Sequence, residues 1–143
     1  MEETLFKGIY TKYNGDTTGL KTTLSNGLYP GRAPQATTEP YGTYTLISDV
    51  TDEGFDFVID EALIQFDFYS ASRSPTSITR IAKDAKKLFD WATISTTGST
   101  AEFTHVSMSR ELSYLLPVGV GEEEKWRYMV QFWFQWYSTG NKP

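Results

Sequence analysis

Cysteine is absent from this chain and histidine occurs once, at His105. The first absence excludes a disulfide framework and any thiolate metal site. The second leaves a catalytic or zinc-binding imidazole without the partners it would need, so His105 reads as an exposed strand histidine. Positive charge is scarce as well: 13 Lys and Arg stand against 18 Asp and Glu, a net charge of -5. That balance argues against binding nucleic acid by phosphate neutralisation and against docking on anionic membranes. No apolar run approaches the roughly 18 residues of a membrane span. The first residues, Met1-Glu2-Glu3-Thr4, are acidic where a signal peptide would be basic. A reducing, soluble compartment is expected. No repeat, low-complexity tract or linker interrupts the sequence, so 1–143 is expected to be a single domain with a short flexible tail from about position 138.

What the chain has in quantity is aromatic side chains, 4 Trp, 9 Tyr and 9 Phe among 143 residues. Much of its burial must therefore rest on ring packing. They concentrate in residues 125–137. Read with a period of two, Trp126, Tyr128, Val130, Phe132, Phe134 and Trp136 share one face, and Arg127, Met129, Gln131, Trp133, Gln135 and Tyr137 share the other. A helix here would show aromatics all round its surface. The segment is predicted to be a strand with one wholly apolar face. Met129, Trp133 and Tyr137 on the second face also need cover, either from the N-terminal helix or from a partner.

The remaining elements follow in order. Leu5, Phe6, Ile9, Tyr10 and Tyr13 have helical spacing from about Glu2, ended by Asn14-Gly15-Asp16, and a helical turn is expected within 17–25 around Leu20 and Leu24. Prolines restrict 28–35 to at most a short edge strand. A strand over 41–49 leads to a turn at Asp52-Glu53-Gly54, and its partner resumes near Phe55, with a bulge near Asp60-Glu61, into 63–69. Ser74 as N-cap and Pro75 at the first helical position open a helix over 75–90, with Ile78, Ile81, Ala82, Ala85, Leu88 and Phe89 inward and Arg80, Lys83, Asp84, Lys86 and Lys87 outward. An exposed or edge strand over 103–112 sets Val106, Met108 and Leu112 against His105, Ser107 and Glu111, and 115–124 connects it to the last strand. Neighbouring strands joined by short turns pair antiparallel, with the 75–90 helix as the crossover. The fold class is α+β: an antiparallel sheet of about four strands with helices packed on one face.

Chemistry-bearing patterns are few. The carboxylates of residues 49–56 lack the spacing of a calcium loop and read as a solvated hairpin tip. Gly119-Val120-Gly121 lacks a third glycine and a following helix, and acids follow it, so it is a turn rather than a phosphate cradle. Arg80, Lys83, Lys86 and Lys87 form either a solvated helix face or a contact for an acidic partner. No nucleophile, base and orienting group can be assembled, and no cofactor or metal is expected. Surplus aromatics and sheet edges point instead to a binding or structural module, with pairing of edges in a closed homo-oligomer as one outcome.

Three stretches go further: Leu28-Tyr29-Pro30-Gly31-Arg32-Ala33-Pro34-Gln35, then Pro40-Tyr41-Gly42-Thr43-Tyr44, then 62–70, followed by the Ser/Pro-started helix and the closing aromatic strand. Together they resemble the tail-completion proteins of long-tailed bacteriophages, and more narrowly the tail terminator, or tail-to-head joining, family. The resemblance runs over about residues 2–137. It implies a non-enzymatic α+β subunit of a homohexameric ring that caps the tail tube. Its partners would be the tail tube protein and a neck or head-completion protein, and DNA would pass through the lumen without specific binding. It would be made in the host cytoplasm and reside at the tail-neck junction of the virion. A neck adaptor between portal connector and tail is the alternative.

The resemblance marks Tyr29, Pro30, Arg32, Ala33 and Pro34 as a structural loop. There Arg32 would either anchor the loop to a backbone carbonyl or pair with an acid of a neighbouring subunit. Asp52, Phe55 and Phe57 in the first hairpin are further candidates for contact between subunits. Leu115, Leu116 and Val118 are expected to contact a neighbour too, while Glu122, Glu123 and Glu124 face the lumen.

Overall fold

The protein is described from a computed structural model, over residues 2–16, 19–53, 58–70, 75–90, 106–118 and 125–138. Its elements are α1 (Glu2–Asn14), α2 (Leu20–Thr23), β1 (Leu28–Pro30), β2 (Tyr41–Glu53), β3 (Val58–Ser70), α3 (Pro75–Phe89), β4 (Val106–Val118) and β5 (Lys125–Ser138). The strands form one five-stranded sheet in the order β1-β2-β3-β5-β4. The four long strands pair antiparallel, and β1 lies parallel to β2 at the edge. The α+β class is as expected. The fifth strand is the proline-limited segment, only three residues long.

Period-two alternation in β2, β3 and β5 decides where the core lies. Tyr44, Ile64, Phe66, Phe68, Val130, Phe132 and Phe134 all point to one face and are buried there with Ile9, Leu20, Leu24, Ile78, Ala85 and Phe89 from the helices. The three helices among the described residues thus share one face of the sheet. Phe66 is the centre of the ring packing, stacked on Phe89 at 4.8 Å and edge-on to Phe132 at 5.7 Å between centroids. Such offset and edge-on contacts add to burial because the positive edge of one ring meets the negative face of the next. The α1 helix is tied to the sheet by the Tyr44 hydroxyl, which donates to the Phe6 carbonyl at 3.2 Å. Gly42 permits the closest approach in this region: a Cβ there would lie 2.7 Å from the Phe68 ring and 3.0 Å from Leu28.

In α3 the inward residues are those the 3.6-residue period selects: Ile78, Ile81, Ala82, Ala85 and Phe89 are buried. Lys86 and Lys87 sit in its last turn, where the helix dipole favours cations. Ser74 lies outside the described residues. Among the described residues no helix is long and apolar enough to cross a membrane.

Several boundaries differ from the sequence expectations. Asp52 and Glu53 belong to β2, paired with Ile59 and Val58, so the strand runs into the expected turn; the expected start of its partner near Phe55 lies outside the described residues. Pairing is regular through Asp60 and Glu61, and the bulge falls in β2 between Leu46 and Ser48. There one residue, Ile47, is left unpaired and half-exposed. Leu115, Leu116 and Val118 are part of β4, opposite Tyr128, Arg127 and Lys125. Pro117 falls within this strand, in the stretch expected to be a connection. An edge strand tolerates it, because the missing N–H can face away from the sheet.

A second bulge, between Arg110 and Leu112, reverses the alternation within β4. Leu112 therefore sits opposite Gln131, on the face without helices, and is 45% exposed. Val106 and Met108 pair with Trp136 and Phe134 on the N-terminal side of this bulge.

Candidate assembly surfaces

The face of the sheet opposite the helices carries a polar network. Cross-strand register sets Tyr69 opposite Arg127, Asp67 opposite Met129 and Gln65 opposite Gln131. Arg127 donates to one oxygen of Asp67 through Nε at 2.9 Å and Nη2 at 2.7 Å. Gln65 donates to the other oxygen at 3.0 Å and accepts from Gln131 at 3.0 Å. Asp67 is only 6% exposed, yet both its oxygens are satisfied, which is the condition for burying a carboxylate. Trp133 lies on this same face and donates its indole N–H to Glu111 at 2.9 Å. The N-terminal helix does not cover it, because α1 packs through Phe6, Ile9 and Tyr13 on the Tyr44 side.

Beyond Arg127 the network continues into rings. The Arg127 guanidinium lies 5.9 Å from the Tyr69 ring centre, and Tyr69 stacks on Tyr41 at 5.0 Å. Burial pushes the Tyr69 phenol above its ordinary value, and the neighbouring Asp67 charge adds to the shift against the pull of Arg127. Residues 31–37 fold over these rings and leave a cavity of about 260 Å³ with Arg32, Pro34, Tyr41, Thr43 and Tyr69 in its lining. The loop is held by Gly31 N–H donating to Tyr44 O at 2.8 Å and Thr37 N–H donating to Pro34 O at 3.1 Å. The Glu39–Pro40 peptide that closes it is cis.

Arg32 stands in the wall of this cavity with its side chain exposed. Its backbone N–H donates to Pro30 O at 2.9 Å. Its guanidinium has no hydrogen bond or ion pair among the described residues, so the expected anchor to a backbone carbonyl is not formed within them.

The sheet edges are the second surface. Among the described residues β4 has one strand neighbour, β5, along its length. On the other side β1 covers only Gly42, Thr43 and Tyr44. From Thr45 onward the outer edge of β2 has no strand partner among the described residues.

The exposed side of α3 is the third surface. Arg80, Lys83 and Lys87 are exposed, and Lys86 turns inward to donate to the Tyr128 hydroxyl at 2.6 Å. Burial pushes the Tyr128 phenol up, but hydrogen bonds from Lys86 and Ser113 and the charges of Lys86 and Arg110 outweigh it and leave the group below its ordinary value. Asp84 is occupied by Thr23 at 3.0 Å.

No family model matches the chain, and no curated protein matches its sequence. Its shape does have a counterpart. A chain in the structure of the virion of a native gene transfer agent particle superposes with a TM-score of 0.69, over 91% of this chain and 92% of that one. Sequence identity is 9%, so the shared property is the fold.

The candidates marked from sequence distribute unevenly over these surfaces. Arg32 lines the cavity, Asp52 lies near the far end of β2, and Leu115 packs against the core on the helix side, opposite Tyr128. Arg32 and Asp52 thus fall at opposite ends of the sheet. Leu116 is opposite Arg127 in the register. Phe55, Phe57, His105, Gly119, Gly121, Glu122, Glu123 and Glu124 lie outside the described residues. Among the described residues no group of three metal-ligating side chains occurs.

The linked set Gln65, Asp67, Arg127 and Gln131 was not singled out by sequence. Alternation places all four on polar faces, but only the β3–β5 register brings them together.

Proposed function

We propose that this chain is a non-enzymatic virion protein that assembles with itself into a ring, caps the tail tube and joins the tail to the head. The observation that carries the reading is the fold likeness to a chain of a gene transfer agent virion across nine-tenths of both molecules. The family resemblance in residues 28–44 and 62–70 supports the same reading. The surfaces are suited to it. Two sheet edges without a strand partner among the described residues offer contacts to neighbours. A chain with net charge -5 can border DNA without holding it, and Glu122, Glu123 and Glu124 are assigned to the lumen. Capping works through complementary surfaces: one side of the ring presents what another tube subunit would, and the other side meets the neck.

The test is native mass in solution followed by electron microscopy of the protein mixed with tail tubes. Rings, or monomers that become rings at one tube end, are expected. A protein that ignores tube ends overturns the capping role, and binding to a portal connector instead would make it a neck adaptor.

A further inference from the structure

The Arg32 cavity contains the feature least explained by the fold, an exposed guanidinium with no partner among the described residues, set beside stacked tyrosines. Its volume, about 260 Å³, falls below the roughly 300 Å³ at which small-molecule sites begin. It suits one or two protein side chains better than a cofactor. A single cation in a chain of net negative charge would not hold a polyanion, whereas a guanidinium beside rings suits a carboxylate flanked by apolar groups.

The chain itself supplies that chemistry. No Lys or Arg occurs between Arg32 and Arg73, while Asp49, Asp52, Glu53, Asp56, Asp60 and Glu61 fall within the β2–β3 hairpin. At its end the sequence reads Asp52-Glu53-Gly54-Phe55-Asp56-Phe57, carboxylates interleaved with two rings. The cavity adjoins Tyr41 at the start of β2, and Glu53 is the last residue of the same strand. Twelve strand steps separate them by roughly 40 Å. One molecule therefore cannot close this contact on itself. Complementary surfaces at opposite ends of a subunit generate head-to-tail contact, which closes into a ring where the rotation between neighbours permits.

We propose that the Arg32 cavity receives the acidic β2–β3 tip, residues 52–57, of a second copy of this chain. Arg32 pairs with a carboxylate of the tip, and the Tyr41 and Tyr69 rings receive its phenylalanines. This contact rests on the self-assembly read above and specifies which surfaces meet.

The absence of cysteine makes the test clean. A33C places a thiol in the cavity lining, E53C places one at the tip, and T79C on exposed α3 is the comparison site. Mixed A33C and E53C proteins are expected to form disulfide heterodimers at least tenfold faster than T79C and E53C. R32E on the A33C chain should remove the excess, and 0.5 M salt should reduce it. Native mass of the R32E protein is measured in parallel and is expected to fall to monomer.

Rings of undiminished mass in R32E, with no excess cross-linking, overturn the tip-in-cavity contact and leave the proposed ring standing. Faster cross-linking of E53C to T79C overturns it in favour of the basic helix face. A protein that neither assembles nor cross-links, alone or with tail tubes, overturns both. Cross-linking as expected with no effect on tube ends keeps the contact and removes the capping role.

Discussion

The two faces of this sheet are built from the same strands and obey different physics. On the helix side, Phe66 and Phe132 meet Phe89 without a polar group between the rings, and each of the three is 0% exposed. On the other side, Asp67 is nearly as buried but accepts hydrogen bonds on both oxygens, from Arg127 and from Gln65. Apolar burial is additive and insensitive to direction. A buried carboxylate, by contrast, is tolerable only while each partner remains in place. The first face therefore depends on area and packing, while the second depends on a specific set of hydrogen bonds.

Breaking the apolar face should have the largest effect. Phe66→Ala or Phe132→Ala is expected to cost about 3–5 kcal/mol, through lost transfer energy and the cavity left in the ring cluster. Urea unfolding at neutral pH measures it, and a loss below about 1 kcal/mol would mean that the inward face is misassigned. Asp67→Ala comes next, at about 2 kcal/mol, because it removes the acceptor of two hydrogen bonds from Arg127 and one from Gln65. The contrast between the faces sharpens if Asp67→Ala also weakens self-association, measured by sedimentation, whereas a conservative core change such as Ile64→Val leaves it untouched.

The smallest effect at neutral pH belongs to Tyr44→Phe, about 1 kcal/mol for the lost bond to Phe6, but it has a pH signature. Burial, with a smaller push from Tyr10, raises the Tyr44 phenol from 10.0 to about 12. Between those values the unfolded chain has lost the proton and the folded chain still holds it. Stability from this group is thus complete below pH 10 and declines as pH rises toward 12. In an alkaline titration of stability, Tyr44→Phe should fall less steeply than the wild type over that window. Identical slopes would show that the hydroxyl is not buried as described.

Much of the first face was legible in the sequence. The alternation in β5, the spacing from Ile78 to Phe89 and the helical pattern at Ile9 and Tyr13 each name residues that the structure buries. Reading failed where a local signal had two meanings. Residues 115–124 read as a connection, yet 115–118 continue β4. Asp52 and Glu53 suggested a turn, yet the ladder to Ile59 and Val58 extends through them. Leu112 was assigned to the wrong face because a one-residue bulge reverses every side chain beyond it, and a bulge leaves no mark in composition.

The candidate site divides in the same way. Arg32 was marked by its loop, and the acidic run of the β2–β3 hairpin is plain in the sequence. Nothing linear relates either to Tyr41 and Tyr69, or Asp67 to Arg127 sixty residues later.

By itself, then, the sequence determined what is set by period and composition: the α+β class, the inward rings, the helix on the crossover, and an acidic, cysteine-free chain poor in candidate chemistry. Those follow from local geometry, in which each side chain's direction depends on its near neighbours. Only the tertiary structure decided the strand order, the two bulges, the satisfied carboxylate on the open face and the cavity around Arg32. These depend on which backbone hydrogen bonds pair across distant segments, and a shift of one residue in that pairing would dismantle all of them.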